Sequence, residues 1–260
     1  MKYILLLLLL ITFSTYSQKA KTPAQNPACA GGAQTSGCGG LTTMTDARDG
    51  QVYKIVQIGT QCWMAQNLNY GTYAAVTAPQ EAGTKFCQNL IGENDASCPF
   101  GGLYEWVNMM NGGLACNGDA ACPPCSVKVK GLCPSGWHVP SYYEWTLLEK
   151  NSGTNPAAFP YDVSTTDWLG TDEGGNLKQT GTENWKAPNA GATNNTGFNA
   201  LPRGFSYGGG FRQVGSYGFW WSVTENGGDA WVRLLGSTDA NVNRNLASKS
   251  RGYSVRCVKD

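Results

Sequence analysis

Histidine is nearly missing from this chain of 260 residues, which has only His138. A zinc site needs three or four ligands, and no second histidine exists to join it. A serine triad needs an activated nucleophile, and no G-x-S-x-G elbow supplies one. Charge is scarce as well: charged residues make up 14% of the chain and the formal net charge is +1. There is no basic face for nucleic acid and no polybasic patch for anionic lipid. Beyond residues 4–11 no long apolar run occurs, and that run is too short to span a bilayer.

What is present points outward from the cell. MKYILLLLLLITFSTYSQ has a positive Lys2, an apolar run, and Thr15 and Ser17 at the −3 and −1 positions of a cleavage site. This predicts a secretory signal peptide over residues 1–17, cut near Ser17. Losing Lys2 brings the net charge to about zero. No membrane span follows the signal. The expected location is secreted, cell-surface or periplasmic. The 10 cysteines all lie beyond the signal, an even number suited to disulfides in an oxidising compartment.

Residues 18–41, rich in Gly, Ala and Pro, read as a flexible stalk in which Cys29 and Cys38 close a small loop. Residues 42–260 read as one α+β domain. It has antiparallel strands at both ends, two short helices, and long disulfide-stapled loops between them. VYKIVQI and QCWMA form a meander, with Asp49-Gly50 the stronger turn signal and Gly59-Thr60 the weaker. Leu103, Trp106, Val107 and Met110 share one helical face. Ser141-x-x-Glu144 is a capping box, and Pro140 blocks helix upstream, so GWHVP leads into a helix of about three turns. The region 154–215 is long and irregular, so it is either functional or organised by its aromatics. GFWWSVTE, AWVRLLG, ANVNRNLA and GYSVRCVKD read as strands of a C-terminal antiparallel sheet.

Six ordered motifs carry a resemblance. IGTQCWMAQNLNY, GLYEWVNMM, GLCPSGWHVPSYYEWTLLE, GFNALPRGF, GSYGFWWSVTE and RGYSVRCVKD resemble the Fibrobacter succinogenes major paralogous domain over roughly residues 46–260. That family occurs in secreted proteins of Fibrobacter and Bacteroidetes-type bacteria and has no established activity to carry over. Its pattern in turn resembles C-type-lectin-like and formylglycine-generating-enzyme-like folds. The implied fold is therefore C-type-lectin-like, an analogy of fold that says little about function. Lectin-like folds pair an early-helix cysteine with one in the last strand, which implies Cys133–Cys257. Cys87–Cys98 is the second expected pair, and Cys62 competes for Cys257. Formylglycine-type oxidases use two late cysteines, and here only Cys257 stands near the end. Calcium-type lectins carry Glu-Pro-Asn or Gln-Pro-Asp and Trp-Asn-Asp. Here Ala187-Pro188-Asn189 lacks the acid, and Trp231 precedes Val232 and Arg233.

Candidate chemistry is then narrow. His138 reads as a half-buried imidazole bonding backbone in a rigid corner. A pocket holding it beside an acid would favour catalysis. Cys116, Cys122, Cys125 and Cys133 could hold zinc, but an oxidising compartment favours disulfides, and no thioredoxin-like context surrounds the C-x-x-C. The pairing of Cys62, Cys116, Cys122 and Cys125 stays open. Candidate ligand contacts are Trp168, Trp185, Arg203, Tyr207, Trp220 and Trp221, set against core packing for the same aromatics. Trp220 and Trp221 point to opposite strand faces, so one is expected in the core. Arg203, like Arg212, either braces a loop or offers a planar donor. No cofactor, metal or catalytic residue is assigned. The expectation is a secreted non-catalytic binding or adhesion module, recognising carbohydrate or a surface protein through 154–215. The alternatives are an extracellular enzyme centred on His138 or a reactive cysteine, and a structural surface-coat domain.

Overall fold

The computed structural model describes residues 37–113, 128–161 and 163–260. Strand β1 (Thr43–Thr45) pairs antiparallel with β2 (Val52–Ile58), which pairs with β3 (Gln61–Met64). Ile58 lies opposite Gln61, so the tight two-residue turn is Gly59-Thr60. Gly59 takes a positive φ of 58° there, a conformation open to glycine at no steric cost. Asp49-Gly50 instead closes the longer β1–β2 connection, with the Gly50 N–H donating to Asp46 O. The ranking of the two turns is thus the reverse of the sequence expectation.

A parallel pair follows, β4 (Thr72–Ala74) with β5 (Thr84–Phe86). Strand β6 (Tyr104–Glu105) runs directly into helix α1 (Trp106–Met110). Because α1 starts only at Trp106, Leu103 belongs to an extended lead-in bridged to Phe86. The buried face is Trp106, Met109 and Met110, while Val107 points out. Strand β7 (Trp137–His138) precedes α2 (Tyr142–Lys150). The capping box of α2 is complete: Ser141 Oγ accepts from the Glu144 N–H and Glu144 accepts from the Ser141 N–H. Among the described residues there is a third helix, α3 (Glu173–Leu177), after β8 (Asp167–Leu169).

The last third of the chain supplies β9 (Phe205–Tyr207), β10 (Gly210–Arg212), β11 (Tyr217–Asn226), β12 (Asp229–Gly236), β13 (Val242–Ser248), β14 (Gly252–Tyr253) and β15 (Val258–Lys259). One sheet has the order β11-β12-β13-β8. The expected fourth C-terminal strand is divided: β14 joins β10-β9-β14-β6, and β15 enters β1-β2-β3-β15-β7. The final motif therefore stitches two other sheets together rather than extending its own. The whole is α+β and dominated by antiparallel pairing. Among the described residues no helix is long and apolar enough to cross a membrane.

Two large apolar clusters fill most of the interior, and a small third one gathers Val76, Phe86 and Leu103. One gathers Tyr53, Met64, Tyr104, Trp106, Trp221, Val232 and Tyr253 around Cys133 and Cys257. The other gathers Trp63, Trp145, Trp185, Phe198, Trp220 and Leu235. Adjacent residues of β11 thus feed different clusters: both Trp220 and Trp221 are core, because the sheet is covered on both faces. Three disulfides join described residues: Cys133–Cys257, Cys87–Cys98 and Cys38–Cys62. The last one corrects the expected Cys29–Cys38 pair. Cys38 is buried in the first cluster, with its Cα 4.9 Å from that of Cys62 on β3. Residues 37–41 therefore pack with the domain, and Cys62 is not available to Cys257. Cys29, Cys116, Cys122 and Cys125 lie outside the described residues, as does the signal segment. Three disulfides fit a chain that matures outside the reducing cytoplasm.

Candidate functional site

His138 sits on β7, 2% exposed. Its Nδ1 meets Asp260 Oδ1 at 2.7 Å and its Nε2 meets Glu144 Oε1 at 2.6 Å. It bonds carboxylates rather than backbone, and it is buried rather than half-buried. With an acceptor at each nitrogen, both nitrogens donate, and neither is left as a base or a metal ligand. Burial opposes the charge, but Glu144 and Asp260 outweigh it and raise the imidazole above its ordinary value. An acid is present on each side, and the imidazole is buried between them. Among the described residues no cluster of metal-ligating side chains occurs. Cys133 is bonded to Cys257, so it has no thiolate to give to zinc.

The six expected ligand contacts do not share a surface. Trp185, Trp220, Trp221 and Arg203 are buried. The indole N–H groups donate to Ala200 O, Asn67 Oδ1 and Tyr104 O respectively, which is what a buried indole requires. Arg203 braces a loop: its Nη2 donates to Asn184 Oδ1 at 2.7 Å and its guanidinium lies 3.8 Å from the Phe100 ring centroid. Burial lowers its pKa to about 10. Trp168 is half-buried on β8, opposite Asn243 of β13. Tyr207 alone of the six is well exposed, at 48%.

Tyr207 stands on the rim of a groove of about 330 Å³, within the size range of small-ligand sites. Val76–Pro79, Phe86, Glu105, Ser206–Gly209 and Ser250 line it. Strand register relates two of its lining residues. Gly252 of β14 lies directly opposite Glu105 of β6 on one side and Ser206 of β9 on the other. Residues paired across antiparallel strands project to the same face, so Glu105 and Ser206 lie on either side of Gly252, and the Ser206 hydroxyl fills the space above it. A Cβ on Gly252 would sit 2.1 Å from Ser206 Oγ, so glycine is needed there for space.

The polar groups of this row lack partners. Ser206 is buried and its Oγ has no hydrogen bond. Glu105 occupies the N-cap position of α1, yet its side chain does not cap the helix, and it enters none of the ion pairs among the described residues. Its backbone N–H is held by Gln80 Oε1 at 2.7 Å. Partial burial raises its carboxyl above the ordinary value. Of the nearby cations, Lys249 pairs with Glu225, while Arg251 lies over the rings of Phe205 and Tyr207 with its Nε unpaired, and Arg212 Nη2 stands 3.8 Å from where a Cβ on Gly208 would be. The groove was not legible beforehand, since only Ser206–Gly209 falls in the expected 154–215 region.

The Fibrobacter succinogenes major domain model matches residues 56–259. The chain belongs to this family. No curated protein and no solved structure matches it. In this member of the Fibrobacter succinogenes major domain family, several residues of the ordered motifs converge on one buried amide. Asn67 Oδ1 accepts from Trp220 Nε1 at 3.0 Å and from Arg256 Nε at 2.8 Å, and Asn67 Nδ2 donates to Phe100 O. Arg256 further donates to the carbonyls of Met64, Phe198 and Asn199. Burial without a counterion lowers Arg256 to about 9. Four motifs are thereby tied by position rather than by chemistry on a substrate.

The loop region is organised in the same manner. Lys178 Nζ donates to Ala190 O, Gly236 O and Asp239 O at 2.7–2.9 Å. Glu173, fully buried, accepts from the N–H groups of Asn155, Thr171 and Asp172. Much of the polar interior is thus scaffold, and the buried atoms without partners among the described residues include Ser206 Oγ, Arg251 Nε, and Arg203 Nε and Nη1.

Proposed function

We propose that the chain is a secreted, non-catalytic binding module with a C-type-lectin-like fold, that it recognises carbohydrate, and that the Tyr207 groove is its ligand face. The observation that carries this reading is the groove itself, of about 330 Å³, with the exposed Tyr207 ring and the unpaired carboxylate of Glu105 in its lining. Unpaired polar groups in a partly desolvated cleft are poised for an incoming partner. Binding without cleavage is favoured because most glycosidases use a pair of carboxyl groups, and Glu105 is the single carboxylate lining the groove. The His138 alternative loses support because both ring nitrogens are already occupied. Secretion through residues 1–17 is part of the proposal and accords with the three disulfides.

A glycan array probed with the mature chain tests the reading. Glycan binding that is lost when Ser206–Gly209 is replaced by an unrelated four-residue turn supports it. Binding to no glycan, or binding insensitive to that replacement, overturns it.

A further inference from the structure

This inference rests on the carbohydrate reading and names the ligand class of the same groove. The geometry points to an acidic saccharide, with a sugar ring against Tyr207 and its carboxylate or sulfate at the rim, where Arg212 and Arg251 stand. Arg212 is the residue that selects the acid, and Arg251 supplies a second, fixed charge.

Strand register brings these groups together. Gly252 of β14 lies opposite Ser206 of β9, so antiparallel pairing sets Arg251 beside Tyr207 and Tyr253 beside Phe205. The ring contacts agree: Phe205 and Tyr253 lie 5.7 Å apart, and the Arg251 guanidinium lies 5.6 Å from the Tyr207 ring centroid. Arg212 of β10 lies opposite Phe205. Phe205, Tyr207, Arg212 and Arg251 therefore share one face of the sheet, while Ser206 and Glu105 belong to the other. Arg212 leans toward the hairpin turn, where its Nη2 stands 3.8 Å from the place a Cβ on Gly208 would take. Tyr207, Gly208 and Ser250 all line the groove. The two guanidinium groups thus border its rim without lining it.

Neither charge is matched by a carboxylate. None of the ion pairs among the described residues includes Arg212 or Arg251. Arg212 is exposed. Arg251 is half-buried, packed on Phe205 and Tyr207, with its Nη1 3.4 Å from the Tyr253 hydroxyl. Those aromatic partners hold the guanidinium in place and leave its charge uncompensated. Lys249, by contrast, is matched by Glu225. The single carboxylate of the groove lining, Glu105, lies on the opposite face of the sheet from both arginines.

Ligand chemistry follows from these groups. The planar fork of a guanidinium fits a carboxylate or a sulfate, and such charge-assisted hydrogen bonds are stronger than neutral ones. The exposed Tyr207 ring offers a flat apolar face to a sugar ring. A saccharide bearing an acid group uses both features at once. A neutral saccharide uses the ring and leaves the arginines to water. A cationic ligand meets repulsion at the rim.

The test uses the mature chain on an array carrying uronate, sulfated and matched neutral glycans, followed by calorimetric titration with the strongest acidic binder at low and high salt. Acidic glycans should bind about tenfold more tightly than their carboxyl-reduced or desulfated counterparts, and salt should shrink that advantage. Binding to either acidic class supports the inference, and the class that binds names the anion. Arg212→Gln should weaken the acidic ligand about tenfold and leave the neutral counterpart and the melting temperature unchanged. Arg251→Gln should weaken the acidic ligand as well. If that variant fails to fold, Arg212→Gln, at an exposed position, still decides the matter. Equal affinity for acidic and neutral glycans, or acidic binding unchanged in Arg212→Gln, overturns this inference and leaves the carbohydrate reading standing. Binding to no glycan overturns the carbohydrate reading and this inference with it.

Discussion

Glu144 closes the capping box of its own helix with one carboxylate oxygen and grips His138 Nε2 with the other, at 2.6 Å. The same side chain thus starts α2 and fixes the strand before it. Asp260, the residue after β15, completes the clamp, because Lys259 pairs with Trp137 and brings the end of the last strand beside β7.

The clamp makes stability depend on pH. His138 is raised above its unfolded value, so its contribution is fully present below about pH 6.5 and fades as pH rises through the higher folded-state value. Burial opposes the charge on Glu144, but His138 and the Ser141 donors outweigh it and lower its pKa. Its share is therefore lost in acid, as pH falls through that depressed value. Thermal melts across pH should show a loss on the alkaline side that His138→Gln removes. The substitution should also cost about 1–3 kcal/mol near pH 6. A wild-type and variant pair with parallel pH profiles would overturn the clamp.

The disulfides should rank by the chain they enclose. Cys133–Cys257 spans 124 residues, Cys38–Cys62 spans 24 and Cys87–Cys98 spans 11. In the chain-entropy picture these are worth about 5, 3.5 and 3 kcal/mol. Paired Cys→Ser variants unfolded in urea should lose stability in that order. Cys38→Ser should leave a reactive thiol at Cys62, whereas Cys29→Ser should not. Labelling of Cys38 after Cys29→Ser would reinstate the pair predicted from sequence.

Local signals in the chain were legible where their cause is local. The Ser141-x-x-Glu144 box and the extended lead-in at Trp137–His138 follow from neighbours a few residues apart, and both are found. The alternation of Trp231, Arg233 and Leu235 correctly marks β12, but burial on both faces hides which side meets which cluster. Apart from Cys133–Cys257, which the family resemblance implied and the structure shows, partners far apart in sequence were not legible. Asp260 meets His138 across 122 residues, and Glu105 meets Ser206 only through Gly252. A glycine required for close packing has no residue signature of its own, since glycine is abundant here, at 34 positions. The aromatics of 154–215 misled because an indole suited to stacking on a ligand is equally suited to filling a core built largely of loops.

The Asn67 hub should be worth more than one hydrogen bond. Asn67→Ala removes the acceptor for both Trp220 and Arg256, and it leaves a buried cation with one fewer partner. Each buried orphan costs about 1–3 kcal/mol, and more for a charged group. Asn67→Asp should retain the acceptor and give Arg256 a counterion, so its loss should be smaller. Chemical denaturation of both variants checks this, and equal losses would contradict it.

A second buried network sets a sharper test of how charge is held in this interior. Glu149 on α2 is fully buried between Arg233 of β12 and Arg244 of β13, with an oxygen accepting from each. Arg244 also donates to the Tyr142 hydroxyl, Pro160 O and Thr146 Oγ1. Removing the carboxylate leaves two guanidinium groups without a counterion, and breaking such a pair costs about 3–5 kcal/mol. Glu149→Gln should therefore destabilise severely while keeping the volume. Adding Arg233→Met should restore part of the loss, because the remaining Arg244 keeps its neutral acceptors and one buried charge disappears. A double-mutant cycle in urea measures the coupling. If the double variant is the less stable of the two, the network's worth lies in the packing of Arg233 over Tyr142, 4.3 Å from its ring centroid, and not in the ion pair.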